Sequence, residues 1–195
     1  MKNYLILALF LMAGNTFAQS STPTPWLNKG EIQVGVGFGT GFGDYSGTTV
    51  RTRPYIQYFI KDRWAVQLEG QYEVHGLDKQ QEYLREDLKR PQYLGAGIAT
   101  QYHFLKTNRF SLYGQAGYTY GRYRVYTYDF SSSSLPFPTR TITTDYGRFS
   151  LGAGVQYRLG DRWRIHALVE RQAATELKFK GGATSVQVGV SFRIR

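Results

Sequence analysis

The chain has 195 residues, a length typical of one domain, and it contains no cysteine, which excludes disulfides, thiolate chemistry and a lipid-modified cysteine anchor. Its formal net charge is +10, and a mean hydropathy of −0.40 with no long apolar run after residue 12 excludes a helical membrane protein. Aromatic residues make up 16% of the chain, and 22 residues are glycine. A membrane β-barrel fits this composition, because only every second residue of its strands must be apolar.

The first 18 residues have the pattern of a secretory signal. Lys2 gives a positive start, residues 4–12 form an apolar run too short to span a bilayer, and Ala18 is a small residue suited to cleavage. Residues 1–18 are therefore predicted to be a signal peptide, with a retained membrane anchor as the alternative. Residues 19–29 are predicted to be a short, polar periplasmic lead-in, and residues 30–195 a barrel domain. Export makes lipid phosphates, rather than nucleic acid, the expected acidic partner of this basic chain.

Alternation of apolar with small or polar residues predicts eight strands in chain order, beginning near residues 31, 50, 64, 93, 110, 148, 163 and 185. The clearest pair runs from Arg148 to Gln172, where the turn at residues 160–162 separates two alternating segments. Short turns at 61–63, 105–109 and 160–162 alternate with longer loops predicted at 40–49, 76–91, 127–141 and 173–183. Arg122 and Arg124 fall on the apolar face of the fifth strand, so a continuation of that strand past Tyr120 should lie outside lipid.

These features predict an all-β fold, an eight-stranded antiparallel up-and-down transmembrane β-barrel preceded by a signal peptide. Aromatic residues on the apolar face near the short turns and the C-terminus predict a girdle at one lipid interface: Tyr58, Trp64, Tyr102, Phe104, Phe110, Tyr157, Trp163 and Phe192. The alternative is a soluble barrel with its apolar face inward. Such a barrel has no reason to sort its loops by length or its aromatic residues by depth.

The polar faces of the strands are predicted to fill the lumen with paired charges, because an ion removed from water needs a partner. Matching faces across the turns predicts these cross-strand pairs: Arg51 with Glu73, Arg53 with Gln71, Tyr55 with Glu69, Gln156 with His166, and Gly152 with Glu170. The lumen charge network is predicted to have a structural role and to comprise Arg51, Arg53, Glu69, Glu73, Arg148, His166 and Glu170.

No catalytic residue, cofactor site or metal site is predicted. His75, His103 and His166 face the lumen by parity, where acyl chains of the membrane cannot reach them. The glycines at 35, 37 and 39 are not followed by a helix, so they do not form a nucleotide-binding loop. Two interpretations stay open for Lys178 and Lys180, namely contact with lipopolysaccharide phosphates or a solvated loop.

The signal, the amphipathic strands, the hairpin from Gly154 to Trp163 and the closing segment from Gly189 to Arg195 together resemble a known family. This family is the OmpA/OmpX-like group, the small outer-membrane β-barrels of Gram-negative bacteria. Its members usually end on an aromatic residue, whereas Phe192 is followed here by three further residues. The resemblance implies location in the cell outer membrane and insertion by the barrel-assembly machinery. It also implies contact with outer-membrane lipid and lipopolysaccharide, no nucleic-acid partner and a monomeric state.

The predicted function is a structural or surface-interaction role in the cell envelope, without catalysis. A narrow pore for small solutes is the first alternative, because glycines line the inward face. A lipid A-modifying enzyme is the second, since the family includes a lipid A deacylase and a palmitoyltransferase. The His-x-Ser pattern of that deacylase does not occur in this sequence.

Overall fold

The computed structural model describes residues 26–43, 46–76, 90–128, 139–175 and 182–194. The predicted signal peptide, residues 19–25 of the lead-in, and Lys178 and Lys180 lie outside these ranges. The described residues form eight strands: β1 Ile32–Gly43, β2 Ser46–Lys61, β3 Trp64–His75, β4 Gln92–Lys106, β5 Phe110–Tyr128, β6 Thr139–Leu159, β7 Trp163–Ala174 and β8 Gly182–Arg193. Among the described residues, no helix is long and apolar enough to cross a membrane.

The strands pair antiparallel in chain order, and β8 pairs with β1 to close the barrel. The predicted eight-stranded up-and-down architecture is confirmed. The observed register contains four of the five predicted cross-strand pairs: Arg51 with Glu73, Tyr55 with Glu69, Gln156 with His166, and Gly152 with Glu170. Counting residues outward from each short turn was sufficient to place these pairs, because a strand sends successive side chains to opposite faces.

The apolar face of the barrel points outward. Leu151 is 70% exposed and Leu94 is 66% exposed, whereas Arg53 and Glu73 are each 1% exposed. A soluble protein buries the first kind of side chain and exposes the second. The inverted pattern belongs to a barrel whose outer wall contacts lipid and whose lumen holds its polar side chains.

The prediction of a glycine-rich loop at residues 40–49 was wrong. β1 continues to Gly43 and β2 begins at Ser46, so only residues 44–45 lie between the strands. The glycines in this segment allow close contact between strands. A Cβ atom at Gly39 would lie 2.7 Å from the carbonyl oxygen of Val186 on β8. Glycine therefore supports strand pairing here, although in the sequence it has the pattern of a turn.

The predicted loop at residues 127–141 is also shortened, because β5 continues to Tyr128 and β6 already begins at Thr139. β4 pairs with β5 only as far as Arg124, and β7 pairs with β6 only as far as Arg148. Residues 125–128 of β5 and 139–147 of β6 therefore extend past the neighbouring strands β4 and β7. Residues 125–128 and 139–142 pair only with each other, and residues 143–147 pair with β5 alone among the described residues. We call this extension the ribbon.

Candidate functional site in the barrel lumen

Two arginines of β2 meet one glutamate of β7 across the lumen. Arg51 donates from Nε to Glu73 Oε1 at 2.5 Å and from Nη1 to Glu170 Oε1 at 2.6 Å. Arg53 donates from Nη1 to Glu170 Oε2 at 3.0 Å, and its Nη2 binds the other oxygen of the same carboxylate. Glu170 is thus held by two guanidinium groups from the facing wall. The contact joins non-adjacent strands and crosses the lumen.

Arg148 of β6 extends the network toward the ribbon end. Its Nη1 donates to Glu73 Oε2 at 2.6 Å, so Glu73 is shared between Arg148 and Arg51. The guanidinium carbon lies 3.9 Å from the ring centroid of Tyr93 and 4.9 Å from that of Tyr146. Charge pairing and cation–π contact together compensate the loss of water around Arg148.

Glu69 completes the charge balance, since its Oε1 lies 3.7 Å from Arg53 Nε and its Oε2 accepts a hydrogen bond from Gln67 at 2.7 Å. The connected set therefore has three arginines and three glutamates: Arg51, Arg53, Arg148, Glu69, Glu73 and Glu170. The structure brings six of the seven residues of the predicted network together. His166 lies apart from these six. It faces the lumen two inward positions below Glu170, where its Nδ1 is 3.3 Å from the Tyr55 hydroxyl.

A layer of glutamines lies below the ions. Gln57 donates to Gln101 at 2.7 Å, and Gln101 donates to Gln115 at the same distance. The space left among these side chains has a volume of about 10 Å³. A void of that size holds roughly one water molecule.

The end of the barrel that carries the short turns is closed by the segment before β1. Trp26 is 2% exposed and Leu27 is fully buried, and both pack with Phe59 and Ala65 in an apolar cluster. The Trp26 indole donates from Nε1 to the carbonyl of Thr107 at 2.9 Å. We call Trp26 and Leu27 the plug.

An ion pair lies directly above the plug. Arg164 donates from Nη2 to Glu31 Oε1 at 2.6 Å, and the Arg164 guanidinium carbon is 5.7 Å from the Trp26 ring centroid. The second oxygen of Glu31 accepts a hydrogen bond from the backbone N–H of Leu27 at 3.1 Å. These contacts tie the plug to strands on both sides of the lumen.

The aromatic residues predicted for the girdle lie on the outward face near this end. Six of them are 38–55% exposed: Tyr58, Trp64, Tyr102, Phe104, Tyr157 and Trp163. Phe110 and Phe192 are partly covered. Phe192 packs edge-on against Trp163, with ring centroids 5.0 Å apart.

Comparison with known proteins identifies the family. A family model described as "Outer membrane protein beta-barrel domain" matches residues 4–193. The chain belongs to this outer-membrane β-barrel family. No curated protein sequence matches the chain.

Solved structures of other outer-membrane barrels share the fold of this family member. The N-terminal β-barrel domain of Pseudomonas aeruginosa OprF is 17% identical, with 85% of this chain and 100% of that chain covered and a TM-score of 0.52. Ail, the attachment invasion locus protein of Yersinia pestis, is 14% identical, with 85% and 99% covered and a TM-score of 0.53. OprG from Pseudomonas aeruginosa is 13% identical, with 86% and 97% covered and a TM-score of 0.57. At these identities the similarity establishes the fold alone.

One group in the lumen of this outer-membrane barrel has the components of a nucleophilic triad. His75 Nδ1 lies 3.2 Å from Thr49 Oγ1, and His75 Nε2 lies 3.5 Å from Glu73 Oε2. A hydroxyl, an imidazole and a carboxylate in contact can support acyl transfer. Here, however, Glu73 also binds Arg51 and Arg148, and Thr49 is 6% exposed on the lumen side. The arrangement is therefore a hydrogen-bonded extension of the ion network.

The other histidines of the outer-membrane barrel are similarly enclosed. His103 is fully buried, and its Nδ1 lies 3.0 Å from Ser111 Oγ. Among the described residues, no group of three or more histidine, aspartate or glutamate side chains is arranged to hold a metal ion.

Sequence reasoning missed three parts of this site. Thr49 lay in a predicted loop, although it stands two residues before Arg51 and shares its parity. Tyr146 likewise stands two residues before Arg148. Trp26 and Leu27 lay in a segment treated as polar, and their signal was the presence of two large apolar residues just before the first strand.

Proposed function

We propose that this outer-membrane protein is a closed, non-catalytic barrel that presents the ribbon as a contact element outside the cell. The observation that carries the proposal is the balanced ion network across the lumen. A pore needs a continuous path of water, and buried ions held by each other replace that water.

Three layers support a closed lumen. The ion network lies toward the ribbon, the glutamine layer with its void of about 10 Å³ lies below it, and the plug lies at the opposite end. Inward glycines favoured the narrow-pore alternative in the sequence, but neighbouring side chains occupy the space beside them. For example, a Cβ atom at Gly154 would lie 2.4 Å from the Tyr113 ring.

Conductance across a planar lipid bilayer tests the closed lumen. We expect no discrete current steps from the wild-type protein. We expect small steps from a variant in which Arg51, Arg53, Glu73 and Glu170 are all replaced by serine, because water then fills the centre. Heat-dependent mobility in gel electrophoresis checks that both proteins are folded. Reproducible ohmic steps from the wild-type protein would contradict the proposal and favour the pore.

The ribbon supports the surface-interaction part of the proposal. Thr175 donates from its backbone and its hydroxyl to the Gly147 carbonyl, at 2.9 and 3.0 Å. Beyond this contact, residues 139–146 have no β7 partner among the described residues. A free strand edge pairs with extended segments of other chains. The name of Ail, an attachment invasion locus protein, is consistent with such a role in a protein of the same fold.

Shortening the ribbon tests its role. Val125 pairs with Ile142 and Tyr128 with Thr139, so removing residues 125–128 and 139–142 together keeps the register of the barrel. This deletion shortens the ribbon by about 14 Å, since it removes four residues from each strand and each residue adds about 3.4 Å. A photo-reactive residue at Asp145 should cross-link surface proteins on intact cells with the full ribbon and lose most adducts with the short one. A photo-reactive residue at Arg162, in a turn at the other end, is the control. Equal adducts with long and short ribbons would contradict the contact role.

A further inference from the structure

The outward face of β5 changes from apolar to basic at one point. Phe110 and Tyr120 mark the two ends of its apolar outward positions, and the next outward residues are Arg122 and Arg124. Ten residues of a tilted strand rise about 26 Å, which matches the roughly 25 Å height of the apolar band on such barrels. The two arginines therefore stand just above the band, at the level of lipid headgroups.

A groove lies on this part of the outer wall. Its volume is about 530 Å³, and its lower wall is formed by Leu94, Ala96 and Tyr120. Arg122 and Arg124 line its upper part. The groove thus combines an apolar lower wall, which continues into the apolar band of the barrel, with two cations at its water-facing end.

The charges at the groove are only partly neutralised. Arg122 donates from Nε to Asp145 Oδ1 at 2.9 Å and from Nη2 to Asp145 Oδ2 at 3.3 Å. This hydrogen-bonded pair lowers the pKa of the Asp145 carboxyl below its ordinary value. Arg124 makes no ion pair or hydrogen bond within the described part of the chain. Two arginines against one aspartate leave a net charge of +1.

The Arg122–Asp145 pair does not prevent binding of another anion. The side chains of Arg122 and Asp145 are 56% and 41% exposed. Exposed pairs of this kind contribute little, because water competes for both partners. A phosphate, by contrast, can accept charge-assisted hydrogen bonds from both guanidinium groups at once.

We propose that this groove binds a phosphorylated glycolipid of the outer leaflet, of the lipid A type. Its phosphate lies between Arg122 and Arg124, and one of its acyl chains runs down over Leu94 and Tyr120. Phospholipids of the inner leaflet present their phosphates at the other end of the barrel, near the short turns. Asp145 lies on both the groove and the ribbon, but the two arginines that bind the phosphate lie on β5 outside the ribbon. Phosphate binding to Arg122 and Arg124 therefore does not require a protein partner at the ribbon.

Binding of defined lipids in nanodiscs tests the site. The full-length protein is placed in phosphatidylcholine nanodiscs and titrated with bis-phosphorylated lipid A, with dephosphorylated lipid A and with phosphatidylglycerol. Bound lipid is counted by native mass spectrometry. We expect bis-phosphorylated lipid A to bind the wild-type protein about tenfold more tightly than either comparison lipid. Dephosphorylated lipid A offers no phosphate to the two arginines, and phosphatidylglycerol offers a phosphodiester with one negative charge, whereas a phosphomonoester carries nearly two.

Three variants locate the binding. We expect the double variant R122Q/R124Q to bind bis-phosphorylated lipid A about tenfold more weakly, and D145N to bind it several-fold more tightly because a competing anion is gone. R162Q removes the same charge in a turn at the opposite end and should bind like the wild type. All these residues are exposed, and heat-dependent gel mobility confirms that each variant is folded.

Two results would overturn the site. One is equal binding of lipid A by R122Q/R124Q and R162Q, and the other is equal binding of phosphorylated and dephosphorylated lipid A by the wild type. Conductance and ribbon cross-linking do not enter this experiment. Failure of the lipid site is therefore distinguishable from failure of the closed-barrel proposal.

Discussion

At the scale of single residues, Glu170 is the acceptor on which the lumen depends most. Besides Arg51 and Arg53, it accepts hydrogen bonds from Gln172 at 3.0 Å and from Ser185 at 3.3 Å. Both of its oxygens are thus engaged by donors on three strands. Removing its charge leaves three buried arginines with two carboxylates, those of Glu69 and Glu73.

We therefore expect Glu170→Gln to lower the free energy of unfolding by about 3–5 kcal/mol, the range for breaking one partner out of a buried ion pair. Urea unfolding in lipid vesicles, followed by circular dichroism, measures the effect. Asp161→Asn is the matched control, since it makes the same acid-to-amide change in a pair whose Asp161 side chain is 69% exposed. The control should lose no more than about 1 kcal/mol. Equal losses for the two variants would mean that the lumen network does not stabilise the barrel.

Sequence parity predicted which side chains face the lumen, but it did not predict all of their partners. The Arg51–Glu73 pair follows from neighbouring strands and a short turn. The Arg51–Glu170 contact spans 119 residues and two strands that are not neighbours. Such a contact depends on the curvature of the closed barrel and on side-chain rotamers, neither of which a local pattern encodes. His166 was wrongly grouped with the ions because parity shows which face a side chain is on but not which side chains it contacts.

At the scale of elements, the plug is a short segment with a large share of the apolar packing inside the barrel. The described interior has few buried apolar side chains, and Trp26 and Leu27 form a cluster with two of them, Phe59 and Ala65. Leu27 adopts a positive φ of 58°, which turns the chain back over the barrel end. Periodicity could not reveal this segment, because it lies outside any strand and its burial comes from tertiary contact.

We expect Trp26→Ala to lower the free energy of unfolding by about 3–5 kcal/mol, as for other large buried aromatic residues. The hydrogen bond to Thr107 is lost together with the packing against Phe59. Trp163→Ala is the control, since Trp163 lies on the outer wall and is 51% exposed. Denaturant unfolding in vesicles compares the two. A loss for Trp26→Ala no greater than for Trp163→Ala would show that the plug is not a stabilising element.

The connections between strands were the least predictable elements. Glycines at 39 and 41 and serines and threonines near 46–49 have the composition of a loop, yet they pair along β1 and β2. The ribbon residues near 139–144 are mainly threonine, whose β-branched side chain suits a strand even without a buried face. Composition alone does not distinguish an exposed strand from a loop. Neither has an apolar face, so neither shows the alternation of apolar and polar residues that marks a half-buried strand.

At the scale of the whole molecule, the orientation in the membrane follows from the two ends of the barrel. One end carries the three short turns and the plug, and the other carries the ribbon. In outer-membrane barrels short turns face the periplasm and longer extensions face outward. The apolar band between them fixes the depth of the barrel.

Single cysteine variants test this orientation, because the natural chain has no cysteine. We expect Thr141→Cys, on the ribbon, to react with a membrane-impermeant maleimide on intact cells. Asp161→Cys, in the turn after β6, should react only after the outer membrane is permeabilised. Labelling of Asp161→Cys on intact cells, with Thr141→Cys protected, would reverse the assigned direction.

The long sequence separation within the ion network has a consequence for biogenesis. Arg51 and Arg53 enter the barrel wall on β2, while their shared acceptor lies 119 and 117 residues later on β7. Before β8 pairs with β1, these guanidinium groups lack that acceptor. Water must then solvate them, because an unpaired charge next to acyl chains is costly. We therefore expect the interior to lose its water only after the β1–β8 seam closes, and a partly assembled barrel to hold water around these arginines.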